Sequence, residues 1–333
     1  MKRRYVLAPV LLILSLARCF DAVQTQSFPA SPRERVYFSA LDKEEKPILG
    51  LPASQFELRI NGQPAVLEGF RPAQLQPDRS IPLVLWILID WSPDIQANMI
   101  KGQGGAAAKA LDLFNPDSAF GVQIVSDRVE TLEPLAHDPA GLRRAFAEFA
   151  QRRTEFRVGE NGSSVKIGQA GMLGAADSAI DGIVSFCRTD PALKSREVYR
   201  AIMMISAGNV DPYYKKKPLY EKAAAEDVFL YPVFVPPSGP IGYWVEYYFD
   251  LAKRTGGVAS VIGALSPGSK ILPLPRSDTH ANALTFNFLH MARDLDGKYS
   301  FEVKLSAAGG EVHLDLKARK KGVQIRLPRR ILP

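Results

Sequence analysis

The sequence predicts an α/β protein: a doubly wound, mostly parallel sheet flanked by a smaller β-rich module formed from both chain ends. Three observations carry this. Residues 82–90 (PLVLWILID) are a continuous apolar run closed by an acid, as expected of a strand buried on both faces of a parallel sheet. Further apolar runs alternate with helical patterns, which implies right-handed βαβ crossovers. Before residue 80 and after residue 296, short alternating strands replace that pattern.

Each element has its own signal. Residues 35–41 (RVYFSAL) suit a strand, and 56–60 (FELRI) alternate before stopping at Asn61-Gly62, a strong hairpin-turn signal. Residues 74–80 (QLQPDRS) read as a polar linker. After the run ending at Asp90 comes a helical stretch to Phe114, a second strand over 119–125 (AFGVQIV), and a helix opened by Asp138-Pro139. That helix spaces Leu142, Phe146 and Phe149 for one face. Residues 167–186 form a long helical pattern, followed by a strand over 199–205 (YRAIMMI), a helix over 219–227 and a strand over 228–235. A helix over 244–254 is stopped by Gly256-Gly257, and 258–262 is a last short strand of this region. An exit helix over 281–296 leads to strands over 299–305, 312–316 and 323–327.

Composition sets the outer bounds. With 333 residues, 46% hydrophobic and 23% charged, the chain is neither disordered nor collagenous nor a disulfide-rich miniprotein. Residues 1–22 have the anatomy of a secretory signal: Lys2, Arg3 and Arg4 open it, and a short apolar stretch follows over 5–17. Cleavage is expected after Cys19 or Ala22, and the mature protein is expected to be periplasmic or extracellular. Arg18 stands where a lipoprotein signal needs a small residue, so membrane contact through a lipidated or uncleaved leader is not the expectation. The formal net charge is +7; the leader holds four cations against one acid, Asp21, leaving +4, which is no nucleic-acid signature. Cys187 closes an apolar helical pattern and reads as a buried structural cysteine. The expected organisation is a signal peptide over 1–22, a β-rich segment over 33–76, an α/β domain over 80–265, and an exit helix with a C-terminal β-rich segment over 281–333 that pairs with 33–76.

In an open parallel sheet, ligands bind beyond the carboxyl ends of the strands, where strand order reverses. The loops after Asp90 (Trp91-Ser92-Pro93-Asp94) and after Ile205 (Ser206-Ala207-Gly208-Asn209-Val210-Asp211) are the candidates, with Ser163 and Ser164 between them in sequence. At these residues the chain resembles the von Willebrand factor type A domain, specifically the exported acidobacterial "VWFA-related" proteins. The resemblance covers nearly all of the expected mature chain. It runs through LDKEEKPILGLPASQFELRINGQPAVLEGF, PLVLWILID, NPDSAFGVQIVSD with LAHDPAGLRRAF, and YYFDLAKRTGG. It implies a von Willebrand type A, Rossmann-like domain over 80–265 carried by the β-rich module.

That family's metal-ion-dependent adhesion site is a D-x-S-x-S loop, a Thr in a second loop and an Asp in a third. By resemblance, Asp90 and Ser92 match the first loop, Asp94 replaces its second Ser, Ser163 or Ser164 stands for the Thr, and Ala207 replaces the third-loop Asp. Two readings share these residues. In one, Asp90, Ser92, Asp94 and Ser164 hold Mg²⁺ or Mn²⁺, a hard ion wanting about six oxygens. In the other, Ser92-Pro93-Asp94 is a helix start: a capping Ser, a Pro whose missing N–H is harmless, and an acid at the positive end of the dipole. The second leads, so the site reads as degenerate.

Other chemistries find less support. Gly102-Gln103-Gly104-Gly105 lies too far past the strand for a dinucleotide fingerprint, and His137, His280, His290 and His313 show no ligand spacing. The resulting expectation is an exported, non-enzymatic protein-interaction protein. It meets an unidentified protein partner through the loops carrying Asp90, Trp91, Asp94, Ser163, Ser206 and Asp211, with no cofactor required. A structural cell-envelope component without a ligand site is the alternative, and a hydrolase using Asp90 and Asp94 a remote one.

Overall fold

The computed structural model describes residues 33–73, 80–91, 95, 111–126, 128–151, 171–207, 216–235, 244–262, 276–277, 283–304, 312–328 and 331–332. Fifteen strands and five longer α-helices are described among them. The central strand β5 (Leu83–Asp90) is buried at every position. It pairs in parallel with β6 (Ala119–Val125) on one side and with β8 (Tyr199–Ser206) on the other. Beyond β8 come β9 (Val228–Phe234), β10 (Ser260–Ile262) and β11 (Arg276–Ser277), all parallel. The seven-stranded order is β11-β10-β9-β8-β5-β6-β7, the last strand, β7, being Val129–Ala136.

Two-residue periodicity divides the side chains of β5 between two cores. Leu85, Ile87 and Ile89 pack with α1 (Pro139–Gln151) and α5 (Ala283–Asp296); Val84, Trp86 and Leu88 pack with α2 (Gly171–Thr189), α3 (Lys216–Ala225) and α4 (Trp244–Thr255). The sheet is therefore covered on both faces, and the fold is the mixed α/β, mostly parallel arrangement.

The seventh strand, β7 (Val129–Ala136), is absent from the sequence reading, which passes from strand to helix there. It runs antiparallel to β6 and forms the sheet edge. Its polar Glu130, Thr131 and Glu133 and its Pro134 suppress the apolar-run signal, and an edge strand needs no such run because one side meets solvent.

The remaining strands form two antiparallel sheets. One has the order β14-β1-β12-β4 and the other β15-β13-β2-β3. They comprise β1 (Arg33–Leu41), β2 (Phe56–Ile60), β3 (Gln63–Ala65), β4 (Glu68–Arg71), β12 (Lys298–Lys304), β13 (Val312–Ala318), β14 (Gln324–Arg326) and β15 (Ile331–Leu332). Phe38 of β1 meets Phe56 of β2 at 5.1 Å between ring centroids, so the sheets share one aromatic core with Tyr299 and Phe301. Alternation again decides what faces where: Val36, Phe38 and Ala40 enter this core, while Tyr37 points the other way, against Tyr199 and Phe229 of the large sheet. Asn61 and Gly62 close the β2–β3 hairpin with φ of 51° and 79°, the paired positive values of a type I′ turn.

One element end carries a titration. Asp227 sits just before β9 with φ 52°, and burial pushes its carboxyl up to about 7, against the opposing pull of Arg200. A carboxyl raised in the folded state favours folding fully below its unfolded value of 3.8, and that contribution is lost as pH rises through about 7. Asp227→Asn keeps a side chain that tolerates left-handed backbone and removes the titration. In denaturant unfolding between these pH values, the variant should therefore gain on wild type with rising pH, by about 2–4 kcal/mol in all. A constant difference across the range refutes the assignment.

Candidate functional site

Strand order reverses between β5 and β8: the chain leaves β5 toward β6 and returns on the other side at β8. Such a switch point opens a crevice at the carboxyl ends of the strands. Asp90 ends β5 there and Ser206 ends β8 beside it, both buried. The registers Ile89↔Ile205 and Asp90↔Val125 bring these strand ends level.

The polar groups form a directed chain. Tyr248 donates its O–H to Ser206 Oγ at 3.1 Å, and Ser206 donates to Asp90 Oδ2 at 3.2 Å. The backbone N–H of Ala207 donates to the same carboxylate oxygen at 3.4 Å. Helix α4 delivers the tyrosine. Tyr248, Leu251, Ala252 and Thr255 fall on one buried face, and Glu246 in the first turn with Lys253 and Arg254 in the last suits the helix dipole. Burial, and then the charge of Asp90, push the Tyr248 phenol above its ordinary value, so it stays a donor at neutral pH. Trp91 packs edge-on against Phe149 of α1 at 5.3 Å and donates its backbone N–H to Val125, which anchors the first residue of the loop.

Of the residues expected to form the site, the structure thus brings Asp90 and Ser206 into contact, with Trp91 next to Asp90 in the chain. Ser92, Asp94, Ser163, Ser164 and Asp211 lie outside the described residues. Ala207 contributes its N–H to Asp90. Tyr248 was not singled out from sequence; its only signal is an aromatic on the buried face of a helix, which most core aromatics share.

A hard divalent ion wants about six oxygens. The described residues of this crevice supply one carboxylate and two hydroxyls, hydrogen-bonded in series. Among the described residues, no group of three or more His, Cys, Asp or Glu is placed to hold a metal. The other oxygens expected to join them, on Ser92, Asp94 and Ser164, lie outside the described residues.

Other sequence features resolve into structure. Cys187 is buried, and burial raises its thiol. His137 lies 3.1 Å from Asp190, and Lys216 pairs with Asp250 at 2.8 Å.

Comparison with known proteins gives structural likeness only. No family model matches the chain, and no curated protein matches it. Among solved structures, a von Willebrand factor type A protein from Catenulispora acidiphila aligns at 10% identity over 92% of this chain and 75% of its own, with a TM-score of 0.43. Proximal thread matrix protein 1 from the mussel byssus aligns at 15% identity over 68% of this chain, with a TM-score of 0.39, and this chain spans about half the length of that protein. The conserved hypothetical protein BatB from Bacteroides thetaiotaomicron aligns at 14% identity over 64% of this chain and 100% of its own, with a TM-score of 0.36. The α/β assignment itself stands on the strand order and registers described above.

Proposed function

We propose that this chain is an exported, non-enzymatic protein-interaction protein that meets a partner through the C-terminal loop edge of its α/β sheet, without a metal. The observation that carries the reading is the Tyr248–Ser206–Asp90 chain at the switch point. Ser206 and the Ala207 N–H both donate to the buried Asp90 carboxylate, so protein donors tie the ends of the two strands together, which supports a site built without a metal. The von Willebrand type A resemblance adds the adhesion character, and the apolar leader over 1–22 adds export.

The test separates metal from partner. Chelator-stripped protein titrated with Mg²⁺ and with Mn²⁺ should give no saturable heat. Saturable binding that disappears in Asp90→Asn would overturn the metal-free reading. Capture of cell-envelope proteins on the immobilised chain should weaken in Asp94→Lys and Asp211→Lys. Equal capture by wild type and both variants removes the loop edge from the proposal and leaves a structural envelope role.

A further inference from the structure

A second cleft lies at the opposite, N-terminal edge of the parallel strands, where the β-rich module meets the large sheet. Its volume is about 500 Å³, and its walls include Tyr37, Arg71, Ile81, Arg196, Tyr199 and Ser300. Junctions between structural units are a preferred place for small-molecule sites, and this volume is in their usual range. Glu197 also lines the cleft and ties its own loop to the β-rich module. It accepts from Tyr37 O–H at 2.7 Å on one carboxylate oxygen and from Arg71 on the other. The loop that presents Arg196 and Glu197 passes through Ser195 at φ 71°, a left-handed conformation that non-glycine residues seldom adopt.

Counting donors and acceptors gives the ligand chemistry. Both oxygens of Glu197 are engaged. The ammonium of Lys298, at the back of the cleft, is directed away to Asp294, Ser39 and the Gly256 carbonyl, which uses its three protons. Arg196 uses one nitrogen on Asp117 and the Ala192 carbonyl, and Arg71 one on Glu197. A guanidinium carries five N–H donors, so both arginines keep donors beyond these bonds. Ser300 accepts from Arg35 at 3.1 Å and keeps its own O–H to give. The cleft therefore offers unused N–H groups of two arginines and the Ser300 O–H, against the single carboxylate of Glu197, whose two oxygens each already accept one bond, with Tyr37, Tyr199, Ile81 and Pro72 as its apolar part.

We propose that this cleft binds a small organic carboxylate: the planar anion on Arg71 and Arg196, and an apolar or aromatic body against the tyrosines and Ile81. The guanidinium fork matches the two oxygens of a carboxylate, and the apolar walls favour an organic anion over a bare inorganic one.

Benzoate is the probe, titrated into the full chain by calorimetry, with benzamide and inorganic phosphate beside it. Benzoate should saturate below about 10 mM, with benzamide and phosphate each at least tenfold weaker. Arg71→Gln and Arg196→Gln should each weaken benzoate about tenfold or more. Their side chains are 57% and 40% exposed, so both variants should keep the wild-type unfolding transition. Absence of saturable benzoate binding, parity of benzamide or phosphate with benzoate, or wild-type affinity in both variants overturns the proposal. Asp90→Asn should bind benzoate as wild type does, which keeps this outcome separate from that of the loop edge.

Discussion

Lys298→Met should destabilise the protein by about 3–5 kcal/mol in denaturant unfolding, the largest effect expected of any single polar group here. Lys298 and Asp294 are 1% and 2% exposed and meet at 2.8 Å, four residues apart across the end of α5 and the start of β12. Tyr231 of β9 donates to the same carboxylate at 2.8 Å, and Arg326 of β14 approaches it at 3.7 Å. Burial alone would raise the Asp294 carboxyl; Lys298 and Arg326 outweigh it and hold the carboxyl below its ordinary value. Removing Lys298 leaves a buried anion without its nearest counter-charge, and also frees Ser39 and the Gly256 carbonyl. The double variant Lys298→Met, Asp294→Leu removes both charges and should recover part of the loss. If the single variant costs less than about 1 kcal/mol, the pair contributes no more than a surface ion pair would.

Gly257→Ala should cost about 3 kcal/mol or more, because its Cβ would lie 2.0 Å from the carbonyl oxygen of Leu230. The obstacle is backbone in a buried strand, so no side chain can swing aside. The two adjacent glycines have different tasks. Gly256, at φ 80°, takes the left-handed position that ends α4, and Gly257 permits close contact with β9. Gly174 in α2 supplies the control, since a Cβ there meets nothing within 4 Å. Gly174→Ala should be neutral or stabilise by about 0.5–1 kcal/mol through helix propensity. Thermal unfolding of the two variants checks both; equal stabilities would mean that the chain relaxes at Gly257 without loss.

What the sequence discloses follows from how each signal is written. The strand ending at Asp90 is legible because burial on both faces demands an unbroken apolar run, and the β2–β3 turn because Asn-Gly is a local rule. β7 is not, because an edge strand carries polar residues and a proline without penalty. The same limit hides the polar groups that matter most. Nothing local in the sequence marks Asp294 and Lys298; the tertiary structure buries them against Tyr231 of the large sheet and Ser39 of the β-rich module. Asp90 announces itself by closing the apolar run, whereas Tyr248 reaches Ser206 across 42 positions of sequence and has no local mark.

The pairing of β1 with β12 has a consequence for the order of events during synthesis. Arg35 and Glu302, partners across this ladder, stand 267 positions apart. A ribosome emits β1 long before its partner strand exists, while every strand of the large sheet can find a neighbour earlier. The α/β unit is then the first part able to fold, and the β-rich module must wait for nearly the whole chain. Until then β1 lacks its partner strands β12 and β14, and the face carrying Val36, Phe38 and Ala40 lacks much of the core that covers it.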